Sequence, residues 1–521
     1  MALADFFDRA AVAASHILLG YDDAAFRARV ESTNVGLAFG PEITQNDGQH
    51  AADMVIRLYA RLYPTITLHV APGAEASAST LEALATLINP KIELRRGGPT
   101  TNTIVLGEGA PAVPDASALV YVGSNDWDAL VSADAPLGFS SSGSPFGAGA
   151  AAAIACAHVF AAAFGATSPL GPGILTFSTL EGVPRATSTQ LRAEDVDFAR
   201  TVLVGLGAIG NAVVWALARS RVRGDIALVD DQTGDLGNLQ RYVLAERDDV
   251  DERKTDIAMR ALNGSLRGRP FPRDYATFVA LEGYRWDQLI VALDSAAGRR
   301  SVQASLPKRI VNAWTQLENL GVSEHGTFGG PGACLSCLYL PHGVVPSDHE
   351  LVADALRIPE QVVPVKDLLY NGAAVPDDML TLIIERFGLA GVDVDRFRGQ
   401  PIGVLYTNGI CGGALVPLEA VDQASRRHMH VPVAHQSALA GILLAAAAIR
   451  QAAFGESERT LETRIDLRKR ITPYTTNIVP ADTTGRCICQ DPVYVGAYET
   501  KYGKPGSATR CFTTVHANGH N

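Results

Sequence analysis

Three glycines in the stretch VLVGLGAIGNAV, Gly205, Gly207 and Gly210, lie between an apolar run and a helix-forming run. Glycines in this order permit a tight turn and let a phosphate approach the N-terminus of the following helix. Asp230 ends the next apolar run, at a position where an acid can accept hydrogen bonds from a ribose. These residues predict a nucleotide site, which a nicotinamide-dependent dehydrogenase would also have.

The polar and cationic residues that follow Asp230 limit the kinds of ligand that this site could bind. Asn238 and Arg241 lie on the loop after the Asp230 strand, and Lys254 comes later, at the predicted start of the next helix. An amide and two cations can hold several phosphate oxygens, which hydride transfer does not require. The loop therefore predicts that a triphosphate binds here.

In these residues the chain resembles the adenylating superfamily of ThiF, MoeB and the ubiquitin-activating enzymes. The family's glycine loop, ribose acid, Asn-Leu-Gln-Arg segment and helix lysine match this chain in order and spacing, and the segment 238–241 adds Gln240 to the candidate nucleotide-binding residues. The family's Mg²⁺-associated aspartate matches Asp294 in VALDSAAGRRSV. The resemblance covers the range 200–455 and extends to 490 with the cysteine pairs, but no motif extends it to the range 1–190.

The resemblance implies that the protein uses ATP and Mg²⁺ to activate the C-terminal carboxylate of a ubiquitin-like protein. The carboxylate would attack the α-phosphate, and pyrophosphate would leave with its charge neutralised. Arg241, Lys254 and Asp294 are the expected catalytic groups at this step. A ubiquitin-conjugating-like enzyme would be the next partner.

One element of the family pattern is missing. Relatives carry an N-terminal Arg-Tyr-x-Arg-Gln segment that delivers an arginine across a dimer interface, and this chain has no such segment. Arg9, Arg27 and Arg29 are alternatives that the sequence leaves open.

Four of the seven cysteines form the short pairs Cys334/Cys337 and Cys487/Cys489. In a chain without secretory features, paired spacing indicates a metal rather than disulfides. The pairs resemble the two zinc pairs of the family, which implies a closed structural Zn²⁺ site with four thiolates. The second pair is Cys-x-Cys rather than Cys-x-x-Cys, so Cys511 or a terminal histidine is an alternative ligand.

Cys411 is a different candidate. It lies in YTNGICGGAL, with an asparagine and a glycine shortly before it and two glycines directly after it. In thioester-forming relatives the loop at this place carries the nucleophilic cysteine, so the resemblance implies that Cys411 takes the acyl group as a thioester. A small buried side chain is the alternative for Cys411. Cys156, inside an alanine-rich helix, is expected to belong to the core.

Composition limits the class of protein. Of the 521 residues, 47% are hydrophobic and 19% charged, which is typical of an α/β protein with a sizeable core. The net charge of −11 disfavours a nucleic-acid partner. The N-terminus lacks the features of a secretory signal, and the alanine-rich runs 146–165 and 436–455 are expected to be buried helices rather than membrane spans, which predicts a cytoplasmic protein.

The elements that must position these residues are predicted from alternating apolar and helical runs. We expect a Rossmann-like, doubly wound α/β domain at 191–492, with a helical insertion at 342–402, preceded by another α/β domain at 1–190. The resemblance implies that 191–492 is the adenylation domain and that 1–190 is a degenerate, inactive adenylation-like domain. Residues 493–521 are expected to form a C-terminal tail. The alanine-rich runs sit late in each half, which suggests two copies of one fold, as a pseudodimer within one chain, although a homodimer is an alternative.

Three other functions remain open. A sulfur-carrier adenylyltransferase of the thiamin, molybdopterin or siderophore type uses the same chemistry without a thioester, but the long N-terminal half counts against it. A nicotinamide-dependent oxidoreductase is disfavoured by the 238–241 segment and Lys254, and an inactive scaffold by the complete nucleotide set. The alanine-rich composition suggests a bacterial source, where such enzymes occur in ubiquitin-like conjugation operons, including antiviral ones.

Overall fold

The computed structural model describes residues 3–503 apart from 16–17, 19–20, 45, 114, 263, 265, 317, 342–346, 388–396 and 407–431. Within these residues the chain forms two α/β domains, each built on one mixed sheet with helices against it. The two sheets hold strands β1 to β7 and β8 to β15.

The first domain contains the strands Asn34–Phe39 (β1), Thr65–Val70 (β2), Glu93–Arg96 (β3), Thr100–Leu106 (β4), Ala116–Asn125 (β5), Asp128–Ser132 (β6) and Ile174–Ser178 (β7). Its helices are Phe7–Ser15 (α1), Asp23–Ser32 (α2), Asn46–Tyr59 (α3), Glu75–Ile88 (α4) and Pro145–Phe164 (α5). The apolar runs TITLHV, TIVLG and ALVYVG, whose pattern predicts strands, fall in β2, β4 and β5.

The second domain contains the strands Asp197–Val204 (β8), Arg223–Val229 (β9), Leu266–Phe271 (β10), Gln288–Val291 (β11), Arg309–Thr315 (β12), Leu320–Glu324 (β13), Thr460–Ile465 (β14) and Thr476–Val479 (β15). The helices that surround this sheet are Ala208–Arg219 (α6), Lys254–Ala261 (α7), Tyr275–Glu282 (α8), Ala296–Ala304 (α9), Leu335–Leu338 (α10), Ala434–Phe454 (α15) and Pro492–Tyr502 (α16). The predicted strands of the nucleotide unit fall in β8, β9 and β11.

The two sheets share one strand order. The first runs β3-β2-β1-β4-β5-β6-β7 and the second β10-β9-β8-β11-β12-β13-β14-β15, so each strand of the first sheet has a counterpart seven strands later. In both sheets the first five strands of this order are parallel and the rest are antiparallel. The shared order supports the expectation of two copies of one fold. The antiparallel extensions were not predicted, because the apolar pattern of a strand does not reveal its direction.

The alanine-rich helices hold the two domains together. Most of the length of α5 and α15 is buried, although both are long and apolar enough to span a membrane by composition. A Cβ on Gly149 of α5 would lie 2.7 Å from the Trp215 ring of α6, and a Cβ on Gly441 of α15 would lie 2.5 Å from that of Ala212. Small residues therefore let three helices from both halves meet in one continuous core.

The helical insertion is present in the described residues. It contains the helices Asp348–Ala355 (α11), Val362–Asn371 (α12), Asp377–Phe387 (α13) and Ile402–Val404 (α14). They bury a core of their own, which includes Leu356, Val365, Leu380 and Ile383. The insertion is thus a small separate cluster on the adenylation domain.

The predicted C-terminal tail differs from the structure at its start. Residues 492–502 form α16, whose Tyr498 is buried and whose Lys501 Nζ donates to the carbonyls of Ser305 and Leu306 at 2.7 and 2.9 Å. The polar composition that suggested a tail instead suits a helix packed on one side. Residues 504–521 lie outside the described part.

Candidate nucleotide site and cysteine cluster

The glycine loop makes the tight turn between β8 and α6. Gly205 has φ +91°, and a Cβ there would lie 2.6 Å from the Ala292 carbonyl oxygen. A Cβ on Gly210 would lie 2.1 Å from the carbonyl oxygen of Gly205. Gly207 precedes the first residue of α6, and its nearest neighbour in the Cβ direction is the Tyr242 hydroxyl at 3.6 Å. The turn is therefore closed behind the helix N-terminus and open in front of it, as phosphate binding requires.

Asp230 stands directly after β9, beside the glycine loop. Its Oδ2 accepts from the Leu206 amide at 2.7 Å and its Oδ1 from the Gln232 amide at 2.9 Å. The carboxylate is half-buried, and each oxygen keeps a further lone pair. The geometry allows Asp230 to accept ribose hydroxyls as well.

Lys254 begins α7 and its side chain is buried near the glycine loop. Its Nζ donates to Gln232 Oε1 at 2.6 Å and lies 5.4 Å from the centre of the Tyr242 ring. Burial by itself lowers the pKa of Lys254, but the Tyr242 hydroxyl and the Asp230 carboxylate outweigh burial, and the pKa lies above its ordinary value. Lys254 is therefore a cation.

Arg241 follows the short 3₁₀ helix Leu236–Gln240 that holds Asn238. The guanidinium lies 5.7 Å from the centre of the Tyr242 ring, so Arg241 and Lys254 share one aromatic neighbour. Burial lowers the pKa of Arg241, against the effects of Tyr242, Asp235 and Asp294. Its Nη1 is buried without a hydrogen-bond partner among the described residues. A buried donor of this kind costs free energy until an acceptor fills the site, which an anionic ligand would do.

Gln240 lies in a different place from its neighbours in sequence. Its side chain is 3% exposed and borders a buried cavity of about 30 Å³ between the domains, together with Tyr59, Arg61 and His435. The carboxamide oxygen of Gln240 has no partner among the described residues. Gln240 is thus directed into the interior between the domains and is not brought together with Arg241 and Lys254.

Asp294 follows β11 and is exposed at the mouth of the site. The neighbouring Ser295 caps α9 by accepting from the Gly298 amide at 3.0 Å, so the Asp294 carboxylate is not used as the cap. Arg299 is buried behind this loop, where its guanidinium donates to the Leu293 carbonyl and, at 3.1 Å, to Asn312 Oδ1. Arg299 thereby fixes the backbone that carries Asp294.

Of the three N-terminal arginines, Arg9 is the one that lies against the nucleotide loop. Its Cγ and Nε would each be 3.1 Å from a Cβ on Gly237, one residue before Asn238. Arg27 pairs with Asp8 at 2.9 Å, and Arg29 Nε donates to the Ala163 carbonyl at 2.7 Å. The fold therefore brings an arginine to the site from α1 of the same chain.

The structure also shows groups at this site that the sequence did not single out. Asn211, which follows Gly210, donates to the Leu206 carbonyl at 2.9 Å and accepts from the Leu244 amide at 3.2 Å. It ties the glycine loop to the residues after Arg241. Tyr242 provides the ring shared by the two cations. Asn211 directly follows the glycine motif and Tyr242 directly follows the Asn-Leu-Gln-Arg motif. This adjacency is the sequence signal that could have identified them.

The four paired cysteines converge in one cluster. Sγ of Cys334 lies 3.8 Å from that of Cys337 and 3.4 Å from that of Cys487, and Cys337 Sγ lies 3.4 and 3.5 Å from those of Cys487 and Cys489. A tetrahedral zinc site with Zn–S bonds of about 2.3 Å has S–S edges of about 3.8 Å, so the spacing fits Zn²⁺. The Asp482 amide donates to Cys337 Sγ at 3.4 Å. Both members of the Cys-x-Cys pair thus reach the cluster, and no other ligand is needed.

Two of the candidate cysteines cannot be placed. Cys411 lies in 407–431 and Cys511 in 504–521, outside the described residues. Cys156 lies in α5, where burial raises the pKa of its thiol. It is a core residue, as predicted.

The first domain has a different loop at the position that corresponds to the glycine loop. After β1 come Gly40, Pro41 and Glu42, and Glu42 Oε1 accepts from the Gly109 amide. A Cβ on Gly40 would lie 2.3 Å from the Gly109 carbonyl oxygen. A carboxylate of the chain itself therefore lies against this loop, and its negative charge would repel a phosphate.

Comparison with known proteins agrees with the fold of the second domain. Residues 185–342 match the model of the ThiF family, and residues 41–165 match the model described as prokaryotic E2 family C. The chain belongs to the ThiF/MoeB superfamily. It is 39% identical over 513 residues to the uncharacterized protein y4jF of Sinorhizobium fredii, covering 96% of this chain and 98% of that protein.

Other relatives of this superfamily member match over shorter ranges. A ubiquitin-activating enzyme E1-like protein of Saccharomyces cerevisiae is 30% identical over 26% of this chain and 20% of its own length. A sulfur carrier protein adenylyltransferase of Thermus thermophilus is 33% identical over 29% of this chain and 59% of its own length. This chain is accordingly an adenylyltransferase-like enzyme for which ATP is the expected nucleotide.

Proposed function

We propose that this enzyme activates the C-terminal carboxylate of a ubiquitin-like protein by adenylation. The observation that carries the proposal is the pair of cations, Arg241 and Lys254, that meets on Tyr242 beside the open end of the glycine loop. Arg241 Nη1, buried and without an acceptor among the described residues, supports an anionic ligand at this point. The match to the E1-like protein supports the class of substrate.

In this proposal the nucleotide is held along its whole length. Asp230 accepts from the ribose, the backbone at Gly205, Gly207 and Gly210 makes room for the phosphates, and the two cations with Asn238 hold the phosphate oxygens. Arg9 adds a further positive charge to the same loop from within the chain. The homodimer that relatives need for an arginine from a partner is then not required.

The exposed carboxylate of Asp294 is the group that would hold Mg²⁺. Carboxylate oxygen is a ligand that Mg²⁺ prefers, and bound Mg²⁺ would neutralise charge on the phosphates. Arg299 keeps the Asp294 loop in place and does not itself face the phosphates.

The reaction we propose is a displacement at the α-phosphorus. A carboxylate oxygen of the ubiquitin-like protein forms a bond to that phosphorus, the bond to the bridging oxygen breaks, and pyrophosphate leaves with the electron pair. Charge builds up on the leaving group, and Arg241 and Lys254 stabilise that charge from fixed positions. The product is an acyl adenylate.

We further propose that Cys411 takes the acyl group. Its thiolate would attack the acyl carbon, form a thioester and release AMP, after which a conjugating enzyme would accept the acyl group. Cys156 is the only cysteine within 41–165, the range similar to the prokaryotic E2 family. Because Cys156 is buried in α5, an acyl group on the first domain has no accessible thiol.

A second function is favoured by the match to the Thermus sulfur carrier protein adenylyltransferase. That enzyme class would also form an acyl adenylate, but it would hand the acyl group to a sulfur donor and leave no thioester on the enzyme. Cys411→Ala separates the two functions. If the enzyme activates a ubiquitin-like protein, the wild type forms a DTT-sensitive enzyme conjugate, and Cys411→Ala loses this conjugate but still catalyses adenylation. If the enzyme serves a sulfur carrier, neither the wild type nor Cys411→Ala forms such a conjugate.

The test of adenylation is ATP–pyrophosphate exchange with a purified small protein that ends in glycine. Lys254→Met is expected to reduce exchange at least about 100-fold, because a fixed charge at the phosphates is lost. Lys308→Met, which removes an exposed lysine just before β12, is the control and should leave exchange unchanged. Exchange that is equal in all three proteins would show that the cleft around Lys254 is not the adenylation site.

A further inference from the structure

Two arginines of the first domain reach across to the nucleotide loop of the second. Arg57 on α3 donates through Nη1 to the Val243 carbonyl at 2.8 Å. Arg61, in the turn after α3, donates through Nη2 to the carbonyls of Tyr242 and Ala245, both at 2.5 Å. Arg61 Nη1 also donates to the Arg57 carbonyl at 2.5 Å. Three carbonyls of the 242–245 segment are therefore held by the other domain.

The 242–245 segment is the one that sets the position of the phosphate-facing groups. It follows Arg241 directly, and its first residue, Tyr242, contacts both Arg241 and Lys254 with its ring. The Tyr242 hydroxyl lies at the open side of Gly207. The Leu244 amide is held from the other side by Asn211 of α6. A shift of this segment would move Tyr242 and both cations together.

The arginines are themselves fixed by a buried network. Asp53 Oδ2 accepts from Arg57 Nε at 2.9 Å, from Trp215 Nε1 at 2.7 Å and from Arg219 Nη2 at 3.4 Å. Arg61 is 1% exposed, and burial lowers its pKa to about 9, so the guanidinium remains charged at neutral pH. Buried charged groups add little stability compared with apolar packing, whereas a planar guanidinium fixes several acceptors in direction. The main effect of these arginines is geometric.

We propose that Arg61, supported by Arg57, is a positioning residue of the nucleotide site, through which the first domain holds the 242–245 segment for binding of ATP. The inference rests on the proposed function. It gives the domain without a glycine loop a role in the chemistry of the other domain. The effect passes through backbone carbonyls, so Arg61 does not touch the nucleotide.

The experiment compares the full-length protein with Arg61→Met, Arg61→Lys and Arg29→Met. Titration calorimetry with Mg-ATP is expected to give a Kd raised about tenfold or more in Arg61→Met, because charge-assisted hydrogen bonds to the segment are lost. Arg61→Lys should raise the Kd less, since lysine keeps the charge but cannot bridge two carbonyls in one plane. Arg29→Met, which loses an arginine–carbonyl bond inside the first domain, should bind ATP like the wild type.

Amide hydrogen exchange provides a readout that does not depend on ATP. The Leu244 amide is expected to exchange at least about tenfold faster in Arg61→Met than in the wild type, while amides of β1 and β2 keep their rates. Thermal unfolding shows whether each variant is folded. If Arg61→Met does not fold, Arg61→Lys decides by the same two measurements.

The possible outcomes separate the two proposals. A folded Arg61→Met variant with a Kd within twofold of the wild type overturns the inference and leaves the proposed function standing, as does an equal loss of affinity in Arg29→Met. The same limit applies to Arg61→Lys if Arg61→Met does not fold. A wild-type protein that binds no ATP overturns the proposed function itself. A raised Kd with faster exchange at Leu244, and with Arg29→Met unchanged, supports the positioning role.

Discussion

At the scale of single residues, charge that is buried and held in place distinguishes this site from a surface cluster. Lys254 is 5% exposed, and Arg241 and Lys254 contact one aromatic ring, so neither side chain can reorient as an exposed cation does. Electrostatic groups that are already in position lose little energy to reorganisation during the reaction. The same principle applies at the domain interface, where Asp53 holds three donors.

The Asp53 network makes stability depend on pH in a defined range. Burial raises the pKa of Asp53, but Arg57 and Arg219 more than offset it, and the pKa falls from 3.8 to about 2. A lowered pKa means that the carboxylate stabilises the fold fully above about pH 4 and loses this contribution as the pH falls through about 2. The contribution is ~2 kcal/mol. Asp53→Asn should therefore lower stability at neutral pH.

Unfolding midpoints measured from pH 7 to pH 2 check this prediction. The gap between wild type and Asp53→Asn should stay constant down to pH 4 and close toward pH 2. Asp225→Asn is the matched control, because Asp225 pairs with Arg267 at the exposed surface, where removal of an ion pair changes stability little. A gap that is equally large at pH 2 and pH 7 contradicts the assignment to the carboxylate charge.

At the scale of elements, the close crossing of α6 and α15 sets the position of the glycine loop, because α6 begins at that loop. Gly441 is the contact point on α15. A Cβ there would lie 2.5 Å from both the Ala212 Cβ and the Ile209 carbonyl oxygen. Neither backbone has room to move in a core that is shared by both domains. The crossing therefore requires glycine at this position.

Gly441→Ala should destabilise the protein by ~1–3 kcal/mol through overpacking, although alanine is the better helix former. Gly496→Ala in α16 is the control, since a Cβ at Gly496 meets nothing within 4 Å. This control should be neutral or stabilising by up to ~1 kcal/mol. Denaturant titration of both variants measures the two effects, and equal midpoints for them would refute the close crossing.

At the scale of the whole molecule, the cysteine cluster joins two segments that are far apart in sequence, since Cys334 and Cys337 both contact Cys487. One pair precedes the helical insertion and the other follows β15, so a metal at this point would fix the C-terminal segment and α16 to the adenylation domain. The free energy of metal binding would then contribute to the folding stability of this region. The insertion and the 407–431 segment lie between the two pairs in the chain.

The expected metal content is one Zn²⁺ per chain, measured by elemental analysis of the purified protein. Cys487→Ser should lose the metal and lower the melting temperature by at least about 5 °C, and a chelator should do the same to the wild type. Cys156→Ser, which changes a cysteine outside the cluster, should keep the metal. Retention of stoichiometric zinc in Cys487→Ser would exclude the four-thiolate site.

Much of the fold was predictable because local patterns carry it. The apolar runs at 65–70, 201–205 and 225–230 correspond to strands, and both alanine-rich runs are buried helices. The run PDDMLTLIIERF, whose proline and acids suit a first helical turn, corresponds to α13. The resemblance to the superfamily is confirmed by the ThiF family model, which matches residues 185–342. The sequence did not reveal that the first residues of the predicted C-terminal tail form α16, because polar composition does not distinguish a one-sided helix from a loop.

The sequence by itself determined which kinds of group stand at the proposed nucleotide site, since the glycines, the acid, the amide and the cations all lie within the range 205–254. The tertiary structure decided which distant groups complete it. Arg9, Arg57 and Arg61 come to the 237–245 region from the first domain, and Gln240 turns away from its neighbours into the interior. Such contacts depend on how two sheets and their helices pack, and packing of distant surfaces leaves no periodic signal in the chain.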